Sequence, residues 1–289
     1  MFKILEKQLL GPKIQCIVLD APLVARKAEP GQFVMIRVHK KGKRIPLSLA
    51  DFNPRQDTIT IVFQEIGKTT HQLGMLNEGD SIPDLLGPQG NPTEIGNFGN
   101  VVVVGGGIGV APVFPLARKL KEAGNYVTAI LGYRSKEYLF WEEKLRSVSD
   151  QTLITTNDGS YGKKGFVTDV LAEIMASGKK IDRVLTIGPP IMMKAISDLT
   201  RTSGITTIVS LNSLMVCGMG MCGACRVTVN NKTRFTCMDG PDFDGHQVDF
   251  EELMKRLDTY KEEEKVVFEN WKKENSLPEG KKAKTREQL

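Results

Sequence analysis

Histidine, tryptophan and cysteine are scarce in this 289-residue chain, which has three histidines, two tryptophans and five cysteines. The sequence shows no Ser–His–Asp set and no acid–base dyad, so it does not predict hydrolytic chemistry carried by side chains alone. The few cysteines are clustered: four of the five fall between Cys217 and Cys237. That cluster is therefore the first candidate for chemistry.

A long uninterrupted apolar run is also missing. The most apolar stretch, VVVVGGGIGVAPVFPLA, contains four glycines and two prolines, so it predicts a strand, a loop and a helix start rather than a membrane span of about 20 apolar residues. The N-terminal MFKILEKQLL lacks the apolar core and cleavage site of a signal peptide. We therefore expect a cytoplasmic protein without membrane association, in a compartment where structural disulfides are rare.

A strong charge of one sign is absent as well. The 39 basic and 34 acidic residues leave a net charge of +5, part of it in the terminal GKKAKTREQL. This excess does not predict nucleic-acid binding. The composition, 40% hydrophobic and 25% charged, is that of a globular protein, and the length suits about two domains of roughly 100–200 residues each.

The first third of the chain predicts a small β-barrel over residues 1–97. Short alternating runs, KIQCIVLD, QFVMIRVH, PLSLADF and TITIVFQEI, are separated by turn residues. Cys16 shares a face with Ile14 and Val18 in the first run, which predicts a small buried side chain without a chemical role.

The next segment, residues 98–210, alternates strand and helix patterns. NVVVVGGG predicts a buried strand, a helix follows from about Ala111, and YVTAILGYR, TLITTNDGS, RVLTIGPP and TTIVSLN predict further strands separated by helices, one of them YLFWEEKLRS. This order predicts a doubly wound parallel sheet. Residues 211–250 form a short, loop-rich, cysteine-bearing segment. Residues 251–289 are expected to form a charged helical tail that contacts a partner. One helical face of this tail carries Leu253, Leu257, Tyr260, Val267 and Trp271, and SLPEGKKAKTREQL is expected to fray.

Glycines follow the first strand of the α/β segment. Gly105, Gly106, Gly107 and Gly109 lie between strand and helix, where backbone N–H groups can approach a pyrophosphate. Pro112 stands where the third glycine of the full dinucleotide motif is expected, so a tight structural turn remains the alternative. Arg134 follows the second strand, and a basic residue there favours the 2′-phosphate of NADP over the ribose of NAD.

The cysteine cluster has the spacing C-x4-C-x2-C followed by a fourth cysteine after eleven residues. This is the plant-type ferredoxin spacing for a [2Fe–2S] cluster. Zinc, a redox dithiol and a disulfide framework are the alternatives, and each fits the spacing or the compartment less well. The predicted ligands are Cys217, Cys222, Cys225 and Cys237. With four cysteines available, His246 is expected to be a loop or interface residue.

The motifs RIPLS, GKTT, LGPQGNP, GGGIGVAP, GYRSKEYLFWEE, TNDGSYGKKG and IGPPIMMK occur in an order that resembles the ferredoxin–NADP⁺ reductase superfamily. Over about residues 1–250 the chain resembles the electron-transfer subunit of dihydroorotate dehydrogenase. It resembles still more strongly the small subunit of NADH-dependent reduced ferredoxin:NADP⁺ oxidoreductase, which is similar to the β subunit of sulfide dehydrogenase. The resemblance implies an FAD-binding barrel, a nicotinamide-binding α/β domain and a small [2Fe–2S] domain. It implies NAD(H) as the nicotinamide, against the NADP(H) that Arg134 favours.

The resemblance also implies binding residues. In the superfamily pattern Arg-x-Tyr-Ser the arginine is three residues before the serine, whereas Arg44 is four before Ser48 and Leu47 replaces the tyrosine, which leaves the role of Arg44 open. Ser48 is the expected partner of flavin N5. The expected FAD-binding residues are Arg44, Pro46, Leu47, Ser48, Phe63, Glu65, Gly67, Lys68, Thr69 and Thr70. The expected nicotinamide-binding residues are Gly105, Gly106, Gly107, Gly109, Ala111, Pro112, Arg134, Asn157, Asp158, Gly188 and Pro189.

A flavin and nicotinamide subunit with its own cluster must deliver its electrons elsewhere. The resemblance implies a heterodimer with a larger flavoprotein that carries FAD and [4Fe–4S] clusters and reaches ferredoxin. The leading hypothesis is the small subunit of such an electron-bifurcating transhydrogenase. An electron-transfer subunit of dihydroorotate dehydrogenase and a redox-sensing regulatory module are the alternatives, and the long tail favours the first.

Overall fold

The computed structural model describes residues 1–275. The first part of the chain forms an antiparallel sheet in the order β6-β1-β2-β5-β4-β3-β7. The edge strands β6 and β7 are separated in the chain only by Pro83, so the two edges of the sheet come together and the sheet curls into a nearly closed barrel. The strands are β1 (Phe2–Gly11), β2 (Ile14–Asp20), β3 (Phe33–Arg37), β4 (Arg44–Asn53), β5 (Thr58–Gln64), β6 (Ser81–Ile82) and β7 (Asp84–Gln89). The helices are α1 (Pro22–Ala25) and α2 (Lys68–Gly74).

Alternation along the barrel strands separates two packing faces. Ile17 and Leu19 of β2 point into the barrel core. Ile14 and Cys16 of the same strand belong instead to a cluster shared with the second half of the chain. Cys16 is 7% exposed, which confirms that it is a buried apolar side chain, and burial raises its pKa to about 11.

The second part of the chain forms a sheet in the order β11-β10-β9-β8-β12-β13-β16. All pairs except the last, between β13 and β16, are parallel. The predicted doubly wound sheet is thus confirmed, with the order reversing at β8, where the glycine loop follows. The strands are β8 (Asn100–Gly106), β9 (Tyr126–Tyr133), β10 (Gln151–Thr156), β11 (Lys163–Lys164), β12 (Arg183–Ile187) and β13 (Thr206–Ser210). The helices are α3 (Val110–Glu122), α4 (Glu142–Val148), α5 (Val167–Ala176) and α6 (Pro190–Arg201).

The predicted helix YLFWEEKLRS is shorter than expected. Only its first residue, Tyr138, belongs to a 3₁₀ turn (Lys136–Tyr138), residues 139–141 are not helical, and α4 begins at Glu142. Trp141, the residue before it, has φ +59°, a left-handed conformation that cannot continue a right-handed helix.

The cysteine-bearing segment folds against the second sheet. It comprises β14 (Arg226–Val229), β15 (Lys232–Phe235), α7 (Thr236–Asp239) and β16 (Asp242–Asp244). β16 extends the α/β sheet by pairing antiparallel with β13. Two further helices follow, α8 (Phe250–Asp258) and α9 (Lys261–Asn275).

The single helical face predicted for the tail is wrong. The helix ends at Asp258 and a new one begins at Lys261, so residues on either side of this break do not share a stripe. Leu253 is 1% exposed, whereas Tyr260 is 53% and Val267 46% exposed. The predicted fraying of SLPEGKKAKTREQL lies outside the described residues. Over the described part of the chain, no helix has both the length and the apolar character needed to cross a membrane.

Candidate functional site

The four clustered cysteines fall into two pairs. The Cys225 and Cys237 sulfurs are 3.2 Å apart and both side chains are 2% exposed. Cys217 and Cys222 form a hydrogen-bonded pair nearer the surface. Within residues 1–275, no three His, Cys, Asp or Glu side chains converge as ligands of one metal ion. Two thiol pairs fit a binuclear cluster, in which each iron takes two cysteines, better than a mononuclear zinc site.

Main-chain N–H groups point at these sulfurs. Met219 N lies 3.5 Å from Cys217 Sγ, and Gly220 N lies 3.2 Å from Cys237 Sγ. Burial raises the pKa of Cys217, but the N–H groups of Met219 and Cys222 outweigh it and lower the pKa to about 7. Donors of this kind stabilise the thiolate that binds metal.

Burial, and then the adjacent Cys225 thiol, raise the pKa of Cys237 to about 12. A nearby positive charge, such as that of a bound metal, favours the thiolate and offsets this rise. The donor set therefore fits an iron–sulfur cluster.

Positive φ angles give the cysteine loop its curl. Gly218, Gly220 and Gly223 have φ of +72°, +79° and +67°, a region that glycine adopts without strain. Gly218 also lies directly on Met35 of β3, where a Cβ atom would overlap the methionine side chain. The loop is thereby pressed onto the barrel.

A small apolar cluster joins the cysteines to the barrel. Cys225 and Cys237 pack with Phe33 and Met35. Phe33 pairs in register with Ser48, and Met35 with Pro46. The predicted cluster ligands therefore lie one strand away from the predicted flavin segment.

The barrel opens at that flavin segment. β4 pairs with β3 over Arg44–Ser48 but with β5 only from Leu49 onward. The first half of β4 and the end of β5 therefore diverge, and Ser48 is exposed between them. Such a gap in a sheet exposes main-chain groups on which a flat ring can lie. Arg44 is held by Asp84 of β7, with Nη2 2.6 Å from the carboxylate.

Three of the predicted FAD residues use their side chains for the fold. Phe63 is 1% exposed in the barrel core. Glu65 Oε1 accepts a hydrogen bond of 2.8 Å from Gln15 Nε2. Thr70 Oγ1 accepts from the N–H groups of Ile66 and Gly67, capping α2. The donors left for a diphosphate on this loop are those of Lys68 and Thr69.

The glycines after β8 serve different purposes. A Cβ atom on Gly109 would overlap the carbonyl of Ile187, and one on Gly106 or Gly188 would overlap Met192. These three glycines allow close packing of the strand ends. Gly107, with φ +55° and no atom within 4 Å of an added Cβ, faces open space.

The other residues predicted to bind the nicotinamide divide between core and sheet edge. Ala111 and Pro112 are buried, so their side chains are not exposed to a ligand. Arg134 and Asn157 follow the paired ends of β9 and β10 and are exposed. Asp158 Oδ1 accepts from Ser160, and the hydroxyl bond lowers its pKa. Pro189 is exposed after β12. This edge is where ligands bind in open α/β sheets.

Several contacts at the site have no sequence signal. Met35 under the cysteine loop and Asp84 beside Arg44 come from distant strands. Thr93 Oγ1 donates to Asp242 Oδ2 at 2.6 Å, and this bond joins the segment after the barrel to β16. His246, as expected, is a loop residue, and its Nε2 lies 3.0 Å from Thr200 Oγ1.

Two family models match the cysteine-bearing segment and the α/β segment of this chain. Residues 212–249 match the iron–sulfur cluster binding domain of dihydroorotate dehydrogenase B, and residues 103–198 match the oxidoreductase NAD-binding domain. A dihydroorotate dehydrogenase B electron transfer subunit homolog of Thermotoga maritima is 46% identical over 94% of this chain and 95% of its own. The chain belongs to the family of dihydroorotate dehydrogenase B electron-transfer subunits. A member from Shouchella clausii is 37% identical, covering 78% of this chain and 89% of its own.

Solved structures agree with the family. A structure of NADH-dependent reduced ferredoxin–NADP oxidoreductase, described for flavin-based electron bifurcation, matches with a TM-score of 0.89 and 46% identity over 94% of this chain and 98% of that one. Phthalate dioxygenase reductase, at 18% identity, a TM-score of 0.58 and coverage of 82% and 92%, shows the fold alone. The predicted fold class and the cofactor set of FAD, [2Fe–2S] and NAD(H) are confirmed, as is an oxidoreductase subunit of a complex with a larger subunit.

Proposed function

We propose that this chain passes electrons between NAD(H) and a larger partner subunit, as the small subunit of an NADH-dependent reduced ferredoxin–NADP oxidoreductase. The observation that carries this proposal is the packing of Cys225 and Cys237 on Phe33 and Met35, in register with Pro46 and Ser48. It supports a short route from the flavin segment to the cluster. A bound flavin exchanges a hydride with nicotinamide and single electrons with a cluster, chemistry that side chains do not supply.

The chain's own residues then have positioning roles. The open gap beside β4 receives the flavin ring, with Ser48 near N5, and Lys68 and Thr69 hold the diphosphate. Gly107 leaves room for the nicotinamide dinucleotide at the edge of the α/β sheet. Cys217, Cys222, Cys225 and Cys237 hold the cluster. For the domain limits we propose residues 1–97, 98–210 and 211–250, followed by the tail.

The proposed partner carries FAD and [4Fe–4S] clusters and reaches ferredoxin in turn. Its docking surface is centred on the cysteine loop, where Val216, Met219, Met221 and Met238 are 59%, 40%, 81% and 53% exposed. Exposed methionines on a cluster-bearing loop are typical of an adaptable interface. The proposal places the complex in the cytoplasm and gives it no nucleic-acid partner.

A second candidate, the electron-transfer subunit of a dihydroorotate dehydrogenase, is favoured by the match of residues 212–249. Purification with the native partner separates the two. A partner with several [4Fe–4S] clusters and FAD supports the first, and a partner with FMN and no cluster supports the second. Rapid reduction of the flavin by a nicotinamide would exclude a purely regulatory module.

The choice of nicotinamide is tested on the isolated chain. Arg134 has no ion-pair partner among residues 1–275, and its guanidinium is available for a 2′-phosphate. The proposal nevertheless assigns NAD(H) to this subunit. Anaerobic titration with NADH and with NADPH, followed by bleaching of the flavin absorbance, decides the matter. Preferential reduction by NADPH would refute the assignment.

A further inference from the structure

The C-terminal helix α9 packs back onto α2 of the barrel. The ring of Phe268 lies 4.6 Å, centroid to centroid, from the ring of His71. On the same side of α9, Trp271 stacks on Phe268 at 6.1 Å and Lys272 Nζ lies 4.7 Å from its ring centroid. Phe268 is therefore enclosed and half-buried, although most of α9 is exposed.

His71, beneath Phe268, connects both ends of the loop before α2. Its Nδ1 lies 3.1 Å from the carbonyl oxygen of Gly67, and its Nε2 lies 3.9 Å from Glu65 Oε2. Ile66, between these two residues, is 74% exposed and adds no packing of its own. The imidazole is thus one of three side chains that contact this loop, together with Gln15 and Thr70, and it is the one that α9 covers.

The opposite end of α2 is fixed independently. Lys7 Nζ donates to the carbonyl oxygens of Gly74 and Leu76 at 2.5 and 2.7 Å. The loop end is held by the main chain of Lys13 and the side chain of Gln15, which both bond to Glu65, and by the contacts of His71. Phe268 covers the ring that makes those contacts.

We propose that Phe268 is a positioning residue for FAD: through His71 it holds the loop 65–67, and with it the donors of Lys68 and Thr69, in the geometry that binds the flavin diphosphate. The proposal rests on the flavin site proposed above. Holding a loop in its bound conformation lowers the entropic cost of binding. A ring pair of this kind corresponds to about a 2- to 10-fold change in an equilibrium constant.

The test compares FAD affinity in full-length variants from which flavin has been removed, using quenching of flavin fluorescence. Phe268→Ala should raise the dissociation constant about 2- to 10-fold. Phe268→Trp, which keeps an aromatic ring, should have the FAD dissociation constant of the wild type. The matched control is Val266→Ala on the same helix, since Val266 is 58% exposed, and it should bind FAD like the wild type. The iron content should be equal in all variants.

A double variant tests the route through His71. If Phe268 acts through this ring, the FAD dissociation constant of the double variant His71→Ala with Phe268→Ala should equal that of His71→Ala alone. Two results would overturn the positioning role. One is an FAD affinity of Phe268→Ala equal to that of Val266→Ala, and the other is a double variant in which the losses of FAD affinity from Phe268→Ala and His71→Ala add fully.

Lys68 separates this proposal from the flavin site on which it rests. Lys68→Ala should weaken FAD binding and Lys68→Arg should retain it. If Lys68→Ala binds FAD normally, the flavin site itself is misassigned. If Lys68→Ala weakens binding while Phe268→Ala does not, only the role of Phe268 is wrong.

Discussion

Gly218 is the residue at which the cysteine loop depends most directly on the barrel. Its φ of +72° makes any other residue unfavourable by about 1–2 kcal/mol. A Cβ atom there would also overlap the side chain of Met35, which is 0% exposed. Overpacking of this kind costs about 1–3 kcal/mol. We therefore expect Gly218→Ala to destabilise the cluster-bearing fold by about 2–5 kcal/mol.

Gly223 provides a matched control in the same loop. Its φ is +67°, but an added Cβ would meet only Phe235 Cε1 at 3.6 Å, an ordinary contact. Gly223→Ala should therefore show the backbone strain alone, about 1–2 kcal/mol. Urea unfolding of both variants, followed by the visible absorbance of the cluster and by circular dichroism, gives the difference. If Gly218→Ala is no less stable than Gly223→Ala, the packing of the loop on Met35 is wrong.

Three other variants test separate parts of the site. Cys225→Ser should lose the [2Fe–2S] EPR signal while NADH still reduces the flavin; an intact cluster would refute the ligand assignment. Gly107→Ala places a methyl group in the open space at the sheet edge and, at φ +55°, adds about 1–2 kcal/mol of backbone strain. The methyl group should raise the apparent dissociation constant for NADH about tenfold without changing flavin or iron content, and an unchanged NADH titration would refute the placement of the dinucleotide at Gly107. Burial raises the pKa of the Asp242 carboxyl above 3.8, so the folded state binds the carboxyl proton more tightly than the unfolded state. The free energy of unfolding therefore falls as the pH rises from about 3.8 through the raised pKa. Asp242→Asn should therefore gain stability relative to the wild type at pH 8 compared with pH 4 in urea unfolding, and an equal difference at both pH values would contradict this.

Sequence reasoning succeeded where local patterns carry the information. Alternation in β2 predicted the burial of Cys16, and the strand–helix alternation predicted the parallel sheet. The x4, x2 and x11 spacing of the cysteines predicted a cluster segment that a family model also matches. Each of these signals lies within a few tens of residues.

Features that depend on contacts between distant segments, or on a single backbone angle, could not be predicted from the sequence. Nothing around Met35 signals that Gly218 will lie on it, because the two meet only after the barrel and the cysteine loop have both folded. The start of α4 depends on the left-handed conformation of Trp141, which tryptophan rarely adopts. The side chains of Phe63 and Thr70 lie in the barrel core and at the cap of α2, contacts that the flavin motifs do not signal, and their role in FAD binding stays a prediction.

The central claim is that NAD(H), FAD and one [2Fe–2S] cluster work in sequence within this chain. Anaerobic reduction of the isolated full-length chain with NADH, followed together by flavin absorbance and EPR, tests it most directly. We expect flavin bleaching, the EPR signal of a reduced [2Fe–2S] cluster, and about two irons and two sulfides per chain. Zinc in place of iron, or a flavin that bleaches without any cluster reduction in the wild type, would contradict it.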